Sequence, residues 1–257
     1  MAVDFESVGL GDYAGANGQT SVTAEFNHTS SGGVSIAAMS FSAANFQFLW
    51  YVDSNEITDL TRTCKYGDVA MQPVAAPVAW NVTEDAWLEA FALAGSPVSN
   101  QPIESKVFGG VSSYRRLRAS VVTYTGVESM GDPIPFTGSG TAMTMTGTAQ
   151  TNDRFVAIYS TAAGIADFNG DVRYVNNDGI SLLIGDVAGT GSAQNVTATR
   201  QKSGPWSGLL IPLNAADTVA SCPPLSWAPR FDPVKVHREQ RTGGLQRNVF
   251  TVEAPEV

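Results

Sequence analysis

The densest group of chemically able side chains in this sequence is the stretch DFNGDVRYVNND, residues 167–178. Asp167, Asn169 and Asp171 stand at alternate positions, and Asp178 follows eleven residues after the first. That is the oxygen-ligand spacing of a twelve-residue calcium loop, in which hard oxygens converge on the ion from a sharply turned backbone. Two features oppose an ion. Val172 occupies the place where such loops need glycine, and the flanking residues read as strands where helices are required. Without an ion, the same residues make an Asx-rich hairpin turn, since Asp and Asn favour tight turns by bonding to their own backbone. Calcium is therefore a candidate cofactor for Asp167, Asn169, Asp171 and Asp178 only, and no other cofactor is expected.

The remaining candidates are sparser. Glu84, Asp85 and Glu89 lie close enough in sequence to suggest a glycosidase carboxylate pair, although a solvated acidic face explains them equally. Nucleophilic catalysis needs a base beside the nucleophile, and the only histidines are His28, in a polar stretch that reads as a turn, and His237, near the C-terminus. Both are expected at the surface. Cys64 and Cys222 are too few and too distant for a disulfide framework or a metal knuckle, and two buried free thiols are expected. Of Trp50, Trp80, Trp87, Trp206 and Trp227, most should be core, with Trp227 among prolines the one expected to pack on another chain.

No G-x-S-x-G elbow, phosphate-binding glycine loop or H-E-x-x-H pair occurs, which argues against most hydrolase and nucleotide-binding chemistry and for a protein that is not an enzyme. A net charge of −9, with basic residues not gathered into a stripe, makes nucleic acid a poor partner. No run approaches the roughly 18 apolar residues of a membrane span, and the opening MAVDFESVGLGDYAGANG lacks the basic and apolar regions of a secretion signal. Synthesis in a cytoplasm is the expectation.

The elements that must position these residues are strands. Hydrophobic residues make up 43% and charged residues only 15%, with Thr, Ser, Gly and Ala between them. Such a composition favours short strands joined by glycine turns. TSVTAEF and VSIAAMSFSA read as a hairpin, TCKYGDVAMQPV as a strand ending in a tight turn, and WNVTEDAWLEAFALAG as a strand in preference to a helix. In YRRLRASVVTYTG, Leu117, Ala119 and Val121 form one apolar face, while Arg116, Arg118 and Ser120 face the other way. This predicts a half-buried strand with a cationic solvent face, holding a sheet edge and its turn. DRFVAIYSTA is apolar on both faces, as a central covered strand requires. TAMTMTGTA, GISLLIGDV, QNVTATRQ and PWSGLLIPL complete about ten strands, and the fold class is an all-β, two-sheet β-sandwich of jelly-roll or immunoglobulin-like type.

Residues 1–213 are assigned to the sandwich and 214–257 to a proline-linked, extended C-terminal arm. Up to residue 227 the chain has 10 basic and 20 acidic residues, and beyond it 5 and 4. The arm holds too little apolar surface to fold alone, so it is expected to lie on a neighbouring subunit. Trp227, Arg230 and Phe231 are the anchors nearest its start, and Val249, Phe250, Thr251 and Val252 in NVFTVEA alternate as a strand added to another sheet would.

HTSSGGVSIAAMSF, KYGDVAM, AWLEAFALAG, ASVVTYTGV and PWSGLLIPL together resemble the β-sandwich domains of minor tail and other virion proteins of tailed phages infecting actinobacteria, over about residues 5–213. Tyr66, Gly67, Tyr124 and Gly126 match the tyrosine and glycine turn that end strands in such proteins. The resemblance implies a virion structural protein, without active-site residues, whose partners are other virion proteins, copies of itself and a host-envelope glycan. A minor tail protein at the tail tip is expected, with a capsid decoration protein as the near alternative. A carbohydrate-binding module for a cell-wall glycan is the alternative of another class.

Overall fold

A computed structural model of the chain describes residues 2–42, 60–81 and 86–216, with the backbone alone at 16–19, 80–81 and 110–115. The described residues are all-β. In chain order the strands are β1 (Asp4–Ser30), β2 (Val34–Ser42), β3 (Leu60–Tyr66), β4 (Val69–Ala70), β5 (Gln72–Pro73), β6 (Val78–Asn81), β7 (Ala86–Leu93), β8 (Ser99–Thr125), β9 (Val127–Met130), β10 (Ile134–Thr148), β11 (Arg154–Thr161), β12 (Ile165–Phe168), β13 (Asp171–Asn176), β14 (Ser181–Ala188) and β15 (Ala193–Ala215).

They form two antiparallel sheets. The first runs β4-β3-β8-β2-β7-β5, with β1 also on β8 and β6 also on β7; the second runs β10-β15-β11-β14-β13, with β9 and β12 also on β15. The two sheets pack face to face as the expected sandwich. Between them lie Ile36, Ala38, Leu88, Ala90, Val122 and Tyr124 from the first and Val156, Ile158, Leu182, Ile184, Leu209, Ile211 and Leu213 from the second. Each such aliphatic side chain, removed from water, contributes roughly 1.5–3 kcal/mol before the entropy of ordering it.

Each sheet is also folded over on itself into a sandwich of its own, the first built on β1/β8 and the second on β10/β15, because its longest pair of strands is a bent ribbon. β1 pairs with β8 from Asp4↔Thr125 to Ser30↔Ser99, and register shifts between Gly9 and Asp12 and between Ala16 and Ser21 mark the bend. Such bulges sharpen local twist and redirect the strand. The doubling brings Asp12 Oδ2 to the Glu25 N–H at 3.4 Å. It also leaves so little room that a Cβ on Gly9 would sit 2.9 Å from the Phe26 ring. Within the fold, Val22, Ala24, Leu60, Cys64, Tyr66, Ile103 and Val107 face Ala37, Met39, Phe41, Trp87, Phe91, Leu117, Ala119 and Val121. The β10/β15 ribbon bends likewise, at Gly140/Ala142. It encloses Met143, Met145, Phe155, Tyr159, Phe168, Leu183, Val196, Trp206 and Leu210.

The winding therefore repeats. Pairings β1–β8, β2–β8, β2–β7 and β3–β8 recur as β10–β15, β11–β15, β11–β14 and β12–β15. Ser40 of β2 and Ser160 of β11 occupy matching places and hydrogen-bond to each other across the central interface. The repeat is written in the sequence too, as IAAMSFS against VAIYSTA and ALAG against DVAG.

Three expectations change. TSVTAEF and VSIAAMSFSA are not a hairpin: β1 pairs β8, and β2 lies between β8 and β7. QNVTATRQ and PWSGLLIPL, read as separate strands, are one bent strand, β15. The β8 segment is not an edge with a solvent face. It pairs β1 on one side and β2 and β3 on the other, and its even face lies against the second sheet, with Arg118 2% exposed and Ser120 fully buried. The turn after it is as read: Gly126 has φ +71°, and any Cβ there would strike the Ala2 carbonyl.

Candidate functional site

The candidate ion loop is not a loop. Phe168 ends β12 and Asp171 begins β13, so Asn169 lies in a two-residue turn with Asp167 and Asp171 on either side of it. Asp178 lies past the far end of β13, on the order of 20 Å away at the usual rise per residue. The four oxygens do not converge. Asn169 uses its side chain as a strand would use its backbone, donating to the Asn195 carbonyl at 2.9 Å and accepting from the Thr197 N–H at 2.9 Å. Asp167 Oδ1 accepts from the Phe168 N–H at 2.9 Å. Among the described residues, no group of three or more His, Cys, Asp or Glu is placed to hold a metal ion.

The turn does deliver Asp171 to a charged cluster that the sequence did not announce. Its centre is Asp186 on β14, fully buried. Arg173 Nε donates to Asp186 Oδ2 at 2.6 Å and Arg173 Nη2 to Oδ1 at 3.2 Å, a two-point clamp. Arg154 Nη1 donates to Oδ1 as well, and the Tyr124 hydroxyl donates to Oδ2 at 2.8 Å. Asp171, largely exposed, adds a second carboxylate 3.0 Å from Arg173. Arg154 also donates to the Val3 carbonyl at 3.3 Å, and the Arg173 guanidinium stacks 4.1 Å over Phe5. Burial, with the neighbouring Asp186 charge, holds the Tyr124 phenol well above its ordinary pKa. Val3, Phe5 and Tyr124 belong to the first sandwich and the charged residues to the second, so the cluster rivets the two together. Position 186 corresponds to Ala92 in the first repeat, and nothing in the sequence shows that an aspartate there meets two guanidiniums.

His28 corrects its expectation. It sits within β1 at 3% exposure, on the seam where the ribbon doubles back. Its Nε2 lies 3.0 Å from Ser7 Oγ and its Nδ1 2.8 Å from the Tyr66 hydroxyl. These are the parts of a nucleophile, base and orienter, and desolvation lowers the imidazole pKa so that it stays neutral. The proton order runs the other way, however. Ser7 Oγ donates to the Thr29 carbonyl at 2.9 Å. Its single proton thus engaged, it accepts from Nε2–H, and Nδ1 accepts from Tyr66, so the relay ends on a backbone oxygen and leaves the serine unactivated. His237 lies outside the described residues.

Glu89 of the proposed acidic face points inward, 5% exposed, and pairs with Arg62 at 2.8 Å. Burial raises its pKa to about 7, against the pull of Arg62. The guanidinium of Arg62 lies 5.3 Å over Trp87, which stacks on Phe41. Glu84 and Asp85 lie outside the described residues. Cys64 is a buried free thiol as expected. Its pKa is pushed up to about 12 by burial, which makes it a poor nucleophile. Cys222 is outside the described residues.

Trp87 and Trp206 are core residues. Trp50, Trp227 and the Trp80 side chain are not described, nor are Arg230, Phe231, Val249, Phe250, Thr251 and Val252 of the arm. Among the described residues no helix is long and apolar enough to cross a membrane. No family model matches the chain, and no curated protein matches it at a meaningful level.

Proposed function

We propose that the protein is a non-enzymatic structural component of a phage virion, a minor tail protein at the tail tip. The observation that carries this reading is the use made of the ionisable groups. Asp186, Arg154, Arg173, His28, Glu89 and Arg62 each serve as an internal fastener between strands or sandwiches. A body held that way suits display on a particle.

Assembly falls to the arm, residues 222–257, through Trp227, Arg230 and Phe231 and by strand addition of Val249, Phe250, Thr251 and Val252 to a neighbouring subunit. Many copies would then combine weak individual contacts with the host envelope through effective concentration. The test is deletion of residues 222–257 in the phage genome. Particles lacking the protein, with the truncated chain still folded, support the reading; normal incorporation of the truncated chain overturns it. Incorporation on the capsid surface would make the protein a decoration protein. A glycan-binding module needs exposed tryptophans beside residues 167–178; Trp87 and Trp206 are buried, and the side chains of Trp50, Trp80 and Trp227 lie outside the described residues.

A further inference from the structure

One end of the second sandwich holds buried polar groups that the described residues leave unsatisfied. Thr161, the last residue of β11, stands opposite Ser181 of β14 on one side and Trp206 of β15 on the other. Residues directly opposite in an antiparallel pair share a face. That face is the inner one, since Tyr159, Leu183 and Leu210 at the same parity line the enclosed core. From the opposite wall Arg200 follows Val196 and Ala198 into the same space.

Arg200 is 6% exposed and Trp206 5% exposed, and Ser181 is fully buried. Among the described residues, Arg200 Nε and Trp206 Nε1 are both buried without a hydrogen-bond partner. Among the described residues the Arg200 guanidinium makes one bond, from Nη1 to the Gly140 carbonyl at 3.4 Å, and no carboxylate pairs with it. It lies 3.1 Å from the place a Cβ on Gly204 would take, while the Trp206 ring lies over Gly138. Gly140↔Gly204 and Gly138↔Trp206 are cross-strand pairs two residues apart. The guanidinium and the indole are thus neighbours on one face of the ribbon, roughly 7 Å apart along the strand.

Arg200 Nε and Trp206 Nε1 both donate, and the first belongs to a cation taken out of water; desolvation accordingly lowers the Arg200 pKa. What completes such a site is an acceptor-only group carrying negative charge. We propose that this end of the second sandwich binds a small oxyanion, a phosphate or carboxylate group, held by Arg200 and Trp206. The assignment does not depend on the virion reading.

The test is ¹H–¹⁵N NMR of the full chain, following the tryptophan indole N–H signals while inorganic phosphate replaces chloride at constant ionic strength. Trp206→Phe identifies the Trp206 signal by its loss. The proposal predicts a saturable shift of that signal alone, with an affinity weakened roughly tenfold or more in Arg200→Gln, as expected for loss of one charge-assisted contact. Parallel titrations with acetate and glucuronate distinguish free phosphate from a sugar carboxylate. Arg200→Lys, which keeps the charge but loses the forked donors, provides a second variant should the glutamine variant not fold, and it should also weaken binding. A Trp206 signal unmoved by all three anions up to about 50 mM, far above a millimolar dissociation constant, overturns the proposal. So does a shift that persists unchanged in the variants.

Discussion

Replacing Asp186 with asparagine tests whether the charged cluster is the rivet between the sandwiches. The change keeps the shape of the side chain and removes the only fully buried charge in the cluster. Arg154 and Arg173, 17% and 20% exposed, then face each other with only the exposed Asp171 to balance them. Removing one partner of a buried ion pair costs about 3–5 kcal/mol, and the partial exposure of both arginines places the expected loss near about 3 kcal/mol. For a folded body of this size, each kcal/mol lowers Tm by about 2–4 °C, so Asp186→Asn should lower it by roughly 6–12 °C. Tyr124→Phe removes one hydrogen bond to the same carboxylate and should cost about 1.5–3 kcal/mol. Because both changes act on one network, their effects should fall short of additive by about 0.5–3 kcal/mol. Thermal unfolding followed by circular dichroism measures all three variants. An Asp186→Asn shift smaller than about 2 °C, or strict additivity with Tyr124→Phe, would refute the rivet.

Three further outcomes are expected. The Glu89 pKa is raised, so its contribution to stability is fully present below pH 4.5 and lost as pH rises through about 7. Across that window the loss should reach about 3 kcal/mol, absent from the pH–stability curve of Glu89→Gln; identical slopes for the two proteins would contradict it. The His28 pKa is lowered, so its contribution is present above the ordinary value of 6.5 and is lost as pH falls through the folded-state pKa. His28→Gln should flatten that acid limb, as read from urea unfolding at a series of pH values. In a Cys222→Ser background, Cys64 should resist a thiol reagent at pH 8 until the protein unfolds, and rapid labelling of the native chain would show that the doubled ribbon opens.

Strand type was legible wherever both faces were apolar. β11, with Phe155 to Tyr159 all buried, was read as a central covered strand because no other use exists for such a run. The same logic failed at β8, since an arginine normally marks solvent. Arg118 is buried because its guanidinium donates to the Ile180 carbonyl at 3.0 Å and to the Asp178 carbonyl, and stacks 5.0 Å over Tyr13. Those partners lie far away in sequence. Glycine is the other source of error: a turn and a bend in a long ribbon use the same residue, so the sequence reading divides β15 at KSG, residues 202–204. His28 was placed at the surface because NHTSSGG has turn composition. Its partners Ser7 and Tyr66 arrive only when β1 folds back on itself. The internal repeat was visible in principle as matching strand segments, and finding it would have predicted two packed sandwiches. The Asp186 cluster left no such trace, because one aspartate and two arginines meet through the pairing of β11, β13 and β14 alone.

The central claim is that the chain is a part of the virion that assembles through its C-terminal arm. A cryo-EM map of the assembled particle, traced through residues 214–257, tests it most directly. The account predicts the doubled sandwich at the tail tip, with the arm crossing onto a neighbouring subunit. A particle without this chain, or an arm lying wholly on its own sandwich, would contradict it.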